Sequence, residues 1–329
     1  MPVAPAATPE TWKALGIVGF VFPLHIICGL LSIPFVGCKL YQGSLGAFLF
    51  VCAYLPFYLY PAHHKFPGWK GFEAVWRFMD YSATCVSYFG QFEVHNPHRV
   101  DPDAQYFCAC HPHGTVIFQR TFWRSDQLRR HLRRDWRMLG ASIIFWIPIV
   151  RELSLWFGAV DAGRAMCERL LRAGVNVCVW PGGLDEANSV DGPTTVIVRT
   201  RTGFVRLAVK HGVTVLPVFV FGELDAVSAI QPLPKTIADF CKRKLRFSTT
   251  MFIGRWKTFV PRRVPFHMVI GKPCAVTKMD PCENGFSAEV ERVAAAYKEE
   301  IRATYERHRA QFGYEERALV FVEDARKSE

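Results

Sequence analysis

Charged and apolar positions alternate unevenly along this chain. Residues 14–38 read ALGIVGFVFPLHIICGLLSIPFVGC and residues 40–64 read LYQGSLGAFLFVCAYLPFYLYPAHH, and neither run holds an Asp, Glu, Lys or Arg. Each exceeds the ~20 apolar residues that span a bilayer as a helix. Each is also longer than the roughly 7–15-residue apolar core of a signal peptide. Joined through GCKLYQGS, the pair predicts a membrane-anchoring hairpin within residues 1–70. Pro23 and Pro34 break the first run, which favours a kinked or re-entrant segment. Lys65, Lys70 and Arg77 follow the second run and favour a cytosolic position for residues 71–329.

Beyond residue 70 short apolar runs alternate with amphipathic ones. AQYFCACH (104–111), VNVCVW (175–180), VTVLPVFVFGE (213–223) and HMVIGKP (267–273) read as buried strands. AGRAMCERLLRAG (162–174) and RTGFVRLAVKHG (201–212) read as helices stopped by Gly174 and Gly212, and residues 287–313 as a long amphipathic helix. The basic stretch RSDQLRRHLRRDWRM (124–138) reads as a further helix. Near-continuously apolar strands alternating with helices predict an α/β fold, a mostly parallel sheet covered by helices on both faces. Chemistry in such folds collects beyond the carboxyl ends of the strands, where His111, Asp185, Glu186 and Glu223 all fall.

Composition narrows the function classes. The 329 residues carry a net charge of +11, which suits an anionic partner. No nucleic-acid-binding motif accompanies that charge. Arg129, Arg130, Arg133 and Arg134, with CKRK at 241–244 and PRR at 261–263, read as a solvated face against anionic lipid headgroups, with coenzyme A phosphates as an overlapping use. Eleven scattered cysteines without a C-x-x-C pair argue for reduced thiols and against a secreted disulfide framework.

The chemistry-bearing segment is FCACHPHGTVIF, residues 107–118. His111 and His113 flank Pro112 at a strand end, where i and i+2 side chains share a face. A metal clamp would need further ligands, and His131, His211, His267 and His308 fall on expected helices or alone. A polar notch filled by imidazoles is the bland reading. Cys110 as a nucleophile is disfavoured because strand alternation turns it away from His111. General base catalysis remains: a histidine takes a hydroxyl proton, a carboxylate orients it, and backbone N–H groups hold an oxyanion. PGGLDE (181–186) supplies two close-approach glycines, Gly182 and Gly183, and the acids Asp185 and Glu186.

In this order HPHG (111–114), PGGLDE (181–186) and RTGFVRLAVKHGVTVLPVFVFGE (201–223) resemble the type 2 diacylglycerol O-acyltransferase family, which includes monoacylglycerol and wax-alcohol acyltransferases. IPIVREL (147–153) and VIGKP (269–273) fit the same pattern, and the resemblance runs from about residue 80 to the end. YFG at 88–90 stands where family members often have Tyr-Phe-Pro, and Leu55 stands where a neutral-lipid signature ends in Asn. The wider glycerolipid acyltransferases place an Asp five residues after the catalytic His; here those positions are Val116 and Phe118. The carboxylate must come from elsewhere, and Glu186 is the candidate.

The resemblance implies a glycerolipid-acyltransferase-like core and a membrane enzyme of the endoplasmic reticulum, reaching the lipid-droplet surface, with its catalytic part facing the cytosol. It would esterify a lipid alcohol, foremost diacylglycerol to triacylglycerol, with monoacylglycerol or a fatty alcohol as the alternative acceptor. Acyl-CoA would be a substrate, with no cofactor and no metal, and the enzyme would meet the bilayer and allow a homo-oligomer. A non-catalytic lipid-binding membrane protein is the alternative of another class. The implied roles are His113 as base, Glu186 as its orienting carboxylate and His111 shaping the site. Gly114, Pro112, Gly182 and Gly183 would position substrate and oxyanion. Arg201, Gly203, Phe204 and Glu223 would serve acyl-CoA or structure.

Overall fold

The apolar run YFCACH becomes strand β2 (Tyr106–His111), buried at every position. It lies at the centre of the computed structural model, which describes residues 28–65, 81–187, 194–241, 244 and 249–323. Residues 14–27 of the first apolar run, with Lys70, Arg77, Lys242 and Arg243, lie outside the described residues.

Seven strands form the main sheet, in the order β1-β10-β7-β2-β5-β3-β4. These are β1 (Phe92–His95), β2, β3 (Trp136–Gly140), β4 (Ala159–Asp161), β5 (Asn176–Val179), β7 (Thr214–Phe221) and β10 (Phe266–Ile270). All neighbours run parallel except β10 against β7. A mostly parallel sheet in a mixed α/β fold is what the apolar strands predict. β6 (Thr195–Thr200) pairs with β11 (Ala318–Glu323), and β8 (Ser228–Ile230) with β9 (Met251–Ile253).

Strand alternation splits the core in two. Cys108, Cys110, Val218 and Met268 pack on one face with Tyr88 and Phe89 of α3 (Tyr81–Phe89) and with Phe122 and Trp123. Phe107, Ala109, Phe219 and Val269 pack on the other. That second face is covered by α5 (Arg164–Arg172), α7 (Gly203–His211) and α8 (Phe286–His308), as the helical spacing requires. Gly174 and Gly212 take φ of +71° and +68°, conformations that end α5 and α7 without the Cβ penalty another residue would meet.

One expected helix is absent. Within 124–138 only Asp126–Arg129 is α-helical, and the chain re-enters the sheet as β3 at Trp136. Two of the four arginines that suggested a solvated helix bind a loop: Arg134 donates to Asp103 O and Gly174 O, and Arg133 pairs with Asp103. Likewise Arg262 donates to Asp225 O and Ser228 Oγ, and Arg263 to Tyr88 O. Part of the basic surface is therefore structural.

In the front end, α1 (Cys28–Tyr41) and α2 (Leu45–Leu59) are apolar helices joined by a tight turn. The helical stretch Leu45–His64 is long and apolar enough to cross a membrane, at mean hydropathy 1.6, and buries none of its residues. Arg151, on α4 (Val150–Trp156), fixes its end: Nη2 donates to Phe57 O at 3.1 Å and Tyr60 O at 2.7 Å. These are carbonyls at the helix terminus, which a guanidinium satisfies well. Tyr58 Oη also donates to Trp146 O, at 2.6 Å.

Candidate active site

The three central strands β7, β2 and β5 end side by side, and their carboxyl ends carry the chemistry. β2 stops at His111, so His113 lies past the strand in a turn. The i, i+2 rule for a shared face therefore does not apply, and the two imidazoles have different surroundings.

His111 is fully buried. Its Nε2 meets the Tyr297 hydroxyl, from the middle of α8, and its Nδ1 lies 3.6 Å from Glu186 Oε2. Both ring nitrogens therefore face protein groups. His113 is only half-buried. Its Nδ1 lies 2.7 Å from its neighbour's carbonyl, Gly114 O. A carbonyl only accepts, so Nδ1 carries the proton and Nε2 keeps its lone pair. Burial pushes the His113 pKa below its ordinary value, and the Gly114 carbonyl and the Glu186 charge only partly oppose this. The result is a neutral imidazole with a basic nitrogen.

Glu186 sits on α6 (Gly183–Ala187), the short helix after β5, and is almost wholly buried. Its Oε1 accepts the His113 backbone N–H at 2.5 Å and its Oε2 accepts the Arg199 N–H of β6 at 3.0 Å. Burial favours its neutral form, but the His111 ring and these two N–H groups outweigh burial and hold the carboxyl below the usual carboxylate range. Glu186 thus reaches the His-Pro-His turn, as expected, but by another route. It binds the His113 main chain and faces the His111 ring, because the turn after β2 swings the His113 side chain toward Gly114. A Cβ at Gly182 would overlap the Glu186 carboxylate, so only glycine lets this acid fold back beneath the turn.

A second carboxyl group braces the turn from the other side. Glu223, just past β7, is buried and accepts the N–H groups of Phe118 and Gln119, both at 2.8 Å. Burial pushes its carboxyl up to about 8 against the pull of those N–H groups and Arg120. Gln119 Nε2 in turn donates to Pro112 O at 2.6 Å. Gly114 takes φ +63°, and a Cβ there would lie 3.2 Å from Glu223 Cγ. Glu223 is thus a scaffold for the loop.

The remaining expected site residues separate. Gly183 spends its N–H on Trp180 O at 3.0 Å, so it is no oxyanion donor. The Gly114 N–H has no partner among the described residues. Arg201 is tied to Asp185 at 2.5 Å with its side chain 39% exposed, open enough to meet an anion as well. Gly203 opens α7, where an added Cβ would meet nothing, so packing does not demand glycine there. Phe204 is core: it packs edge-on against Phe107 and Tyr297 and so supports the hydroxyl that holds His111. Tyr297 is the residue that sequence reasoning missed. It lies 186 positions from His111, and nothing in the local pattern of α8 distinguishes it from a core tyrosine.

Cys108 and Cys110 are fully buried on the opposite sheet face from His111. Burial pushes the Cys110 thiol well up, away from thiolate. His267, expected to be isolated, instead meets His95 and Glu93.

A family model described as diacylglycerol acyltransferase matches residues 45–322, most of the chain. The chain belongs to the diacylglycerol acyltransferase family. It is 28% identical over 250 residues to mouse acyl-CoA wax alcohol acyltransferase 2, covering 68% of this chain and 72% of that one. It is 26% identical to bovine 2-acylglycerol O-acyltransferase 1, covering 75% and 76%. It is 27% identical to diacylglycerol O-acyltransferase 2B of Umbelopsis ramanniana, covering 64% and 65%. Among solved structures, the 1-acyl-sn-glycerophosphate acyltransferase PlsC of Thermotoga maritima aligns over 86% of this chain and 98% of its own, at 16% identity and TM-score 0.43. As a member of the diacylglycerol acyltransferase family, this chain is an acyltransferase.

Proposed function

We propose that the enzyme transfers a fatty acyl group from acyl-CoA to a lipid alcohol, foremost diacylglycerol, giving triacylglycerol. The observation that carries this reading is the fixed tautomer of His113. Its Nε2 is left as an acceptor on a half-buried ring beside a buried carboxylate. The acceptor hydroxyl gives its proton to Nε2 as its oxygen attacks the thioester carbonyl, and the Gly114 N–H steadies the resulting oxyanion. The carbon–sulfur bond then breaks, and the coenzyme A thiolate takes the proton back from the imidazolium. Glu186 stabilises that imidazolium through space and locks the turn. His111 and Tyr297 hold Glu186 in place.

The anchor is residues 1–70 and the catalytic part residues 71–329, in this reading. The apolar, unburied stretch Leu45–His64 supports it, since a helix exposing Phe48, Leu49, Phe50, Phe57 and Leu59 suits lipid and not water. A glycerolipid-acyltransferase-like core on the cytosolic face of the endoplasmic reticulum follows. Microsomes supplied with labelled acyl-CoA and, in turn, diacylglycerol, monoacylglycerol and a fatty alcohol test the acceptor. Triacylglycerol as the main product is expected; wax ester or diacylglycerol as the main product would reassign it.

A further inference from the structure

Register carries a second feature across the sheet from the active site. His111 pairs with Phe219, Phe219 with Val269, and Val269 with His95. His95 therefore lies three strands from His111 on the same sheet face, about 14 Å away at a strand spacing of ~4.8 Å. Glu93 precedes His95 by two positions and so shares its face, and Glu93 pairs in register with His267. Three donor side chains are thereby brought to one point by the backbone alone.

Their atoms converge. His95 Nε2 lies 3.2 Å from His267 Nδ1, and Glu93 Oε2 lies 3.6 Å and 3.7 Å from those two nitrogens. Donors placed ~2.0–2.1 Å from a tetrahedral zinc ion are about 3.3 Å apart, so all three separations are close to that geometry. A single shared proton satisfies one of these contacts, whereas a cation between the atoms satisfies all three. The donors are also held from behind. Gln91 Nε2 donates to the other Glu93 oxygen, Oε1, at 2.8 Å, which leaves Oε2 for the histidines. The His267 ring stacks on Phe312 at 4.2 Å, and the His95 ring tilts against the same phenylalanine at 5.1 Å. His267 and Phe312 also line a cleft of about 300 Å³ with Gly222, Asp225, Pro265 and Gln311.

We propose that Glu93, His95 and His267 form a binding site for a divalent transition metal of the zinc class. Two imidazoles and one carboxylate with a position left over is a recognised zinc ligand set, and hard ions such as magnesium prefer all-oxygen shells. The site clamps the edge strand β1 to β10, and Phe312 ties it to the segment after α8. It stands apart from acyl transfer.

The test uses the full-length protein purified in detergent, stripped with chelator and then given zinc ion alone. About one zinc per chain should survive desalting, and the melting temperature should rise with zinc and fall again with chelator. His95→Ala and His267→Ala should abolish both responses, while His98→Ala should not. Gln91→Ala changes an exposed side chain that does not touch the metal, so it remains informative if the histidine variants fail to fold. It should weaken zinc binding about 10–100-fold, as loss of a ligand-orienting partner does. Failure to retain zinc above background would overturn the proposal. So would equal retention by the double variant His95→Ala/His267→Ala, or unchanged affinity in Gln91→Ala.

Discussion

The Nδ1 atom of His113 lies 2.7 Å from the carbonyl oxygen of Gly114, which fixes the ring's proton and leaves Nε2 basic. Burial lowers the pKa of this histidine, so the neutral form that the proposed base role requires persists below the ordinary titration range. The acid limb of the kcat/KM profile should therefore have its midpoint below ~6.5, the unperturbed histidine value. Activity should fall only as pH drops through that lower midpoint. Rates measured from pH 5 to 8 decide it, and a limb above 7 would contradict the assignment.

Glu186→Gln should lower the rate and move the same limb further toward acid. The carboxylate charge raises the His113 pKa, so removing it favours the neutral ring still more. Loss of rate without that movement would mean that Glu186 acts on the turn's shape alone.

Tyr297→Phe removes only the hydroxyl that meets His111 Nε2. A buried ring nitrogen losing its partner costs about 1–3 kcal/mol, so the variant should melt lower by several degrees. Its kcat should fall less than that of a His113 variant, because Tyr297 touches the ring behind the site. Thermal unfolding with parallel kinetics separates the two effects.

Cys110→Ala should retain most activity, since the thiol is buried on the opposite face from His111 and held far from thiolate. Acyl label remaining on the denatured protein as a thioester would defeat the direct-transfer mechanism.

Much of this site was legible in the sequence. Strands β2, β5 and β7 are continuous apolar runs, and each ends at a chemistry-bearing residue, His111, the Gly182–Glu186 loop or Glu223. The different surroundings of the two histidines were not legible, because they depend on a turn that ends β2 at His111 and on a tyrosine 186 residues away. β3 was misread because its four preceding arginines suggest a solvated helix; one of them, Arg134, instead satisfies two loop carbonyls. The edge strand β1 is only four residues long, too short for alternation to stand out, so the meeting of His95 with His267 was also hidden. Arg151, inside IPIVREL, has no local signal for its role of binding the carbonyl end of α2.

The central claim is that His113, and not the enclosed His111, takes the proton. The most direct measurement is kcat and the apparent KM for acyl-CoA in His113→Ala, compared with wild type at matched folding. General base catalysis contributes about 10²–10⁴-fold, so kcat should fall by that factor with little change in KM. A His113→Ala enzyme that keeps near wild-type kcat, while His111→Ala loses it in a folded chain, would contradict the account.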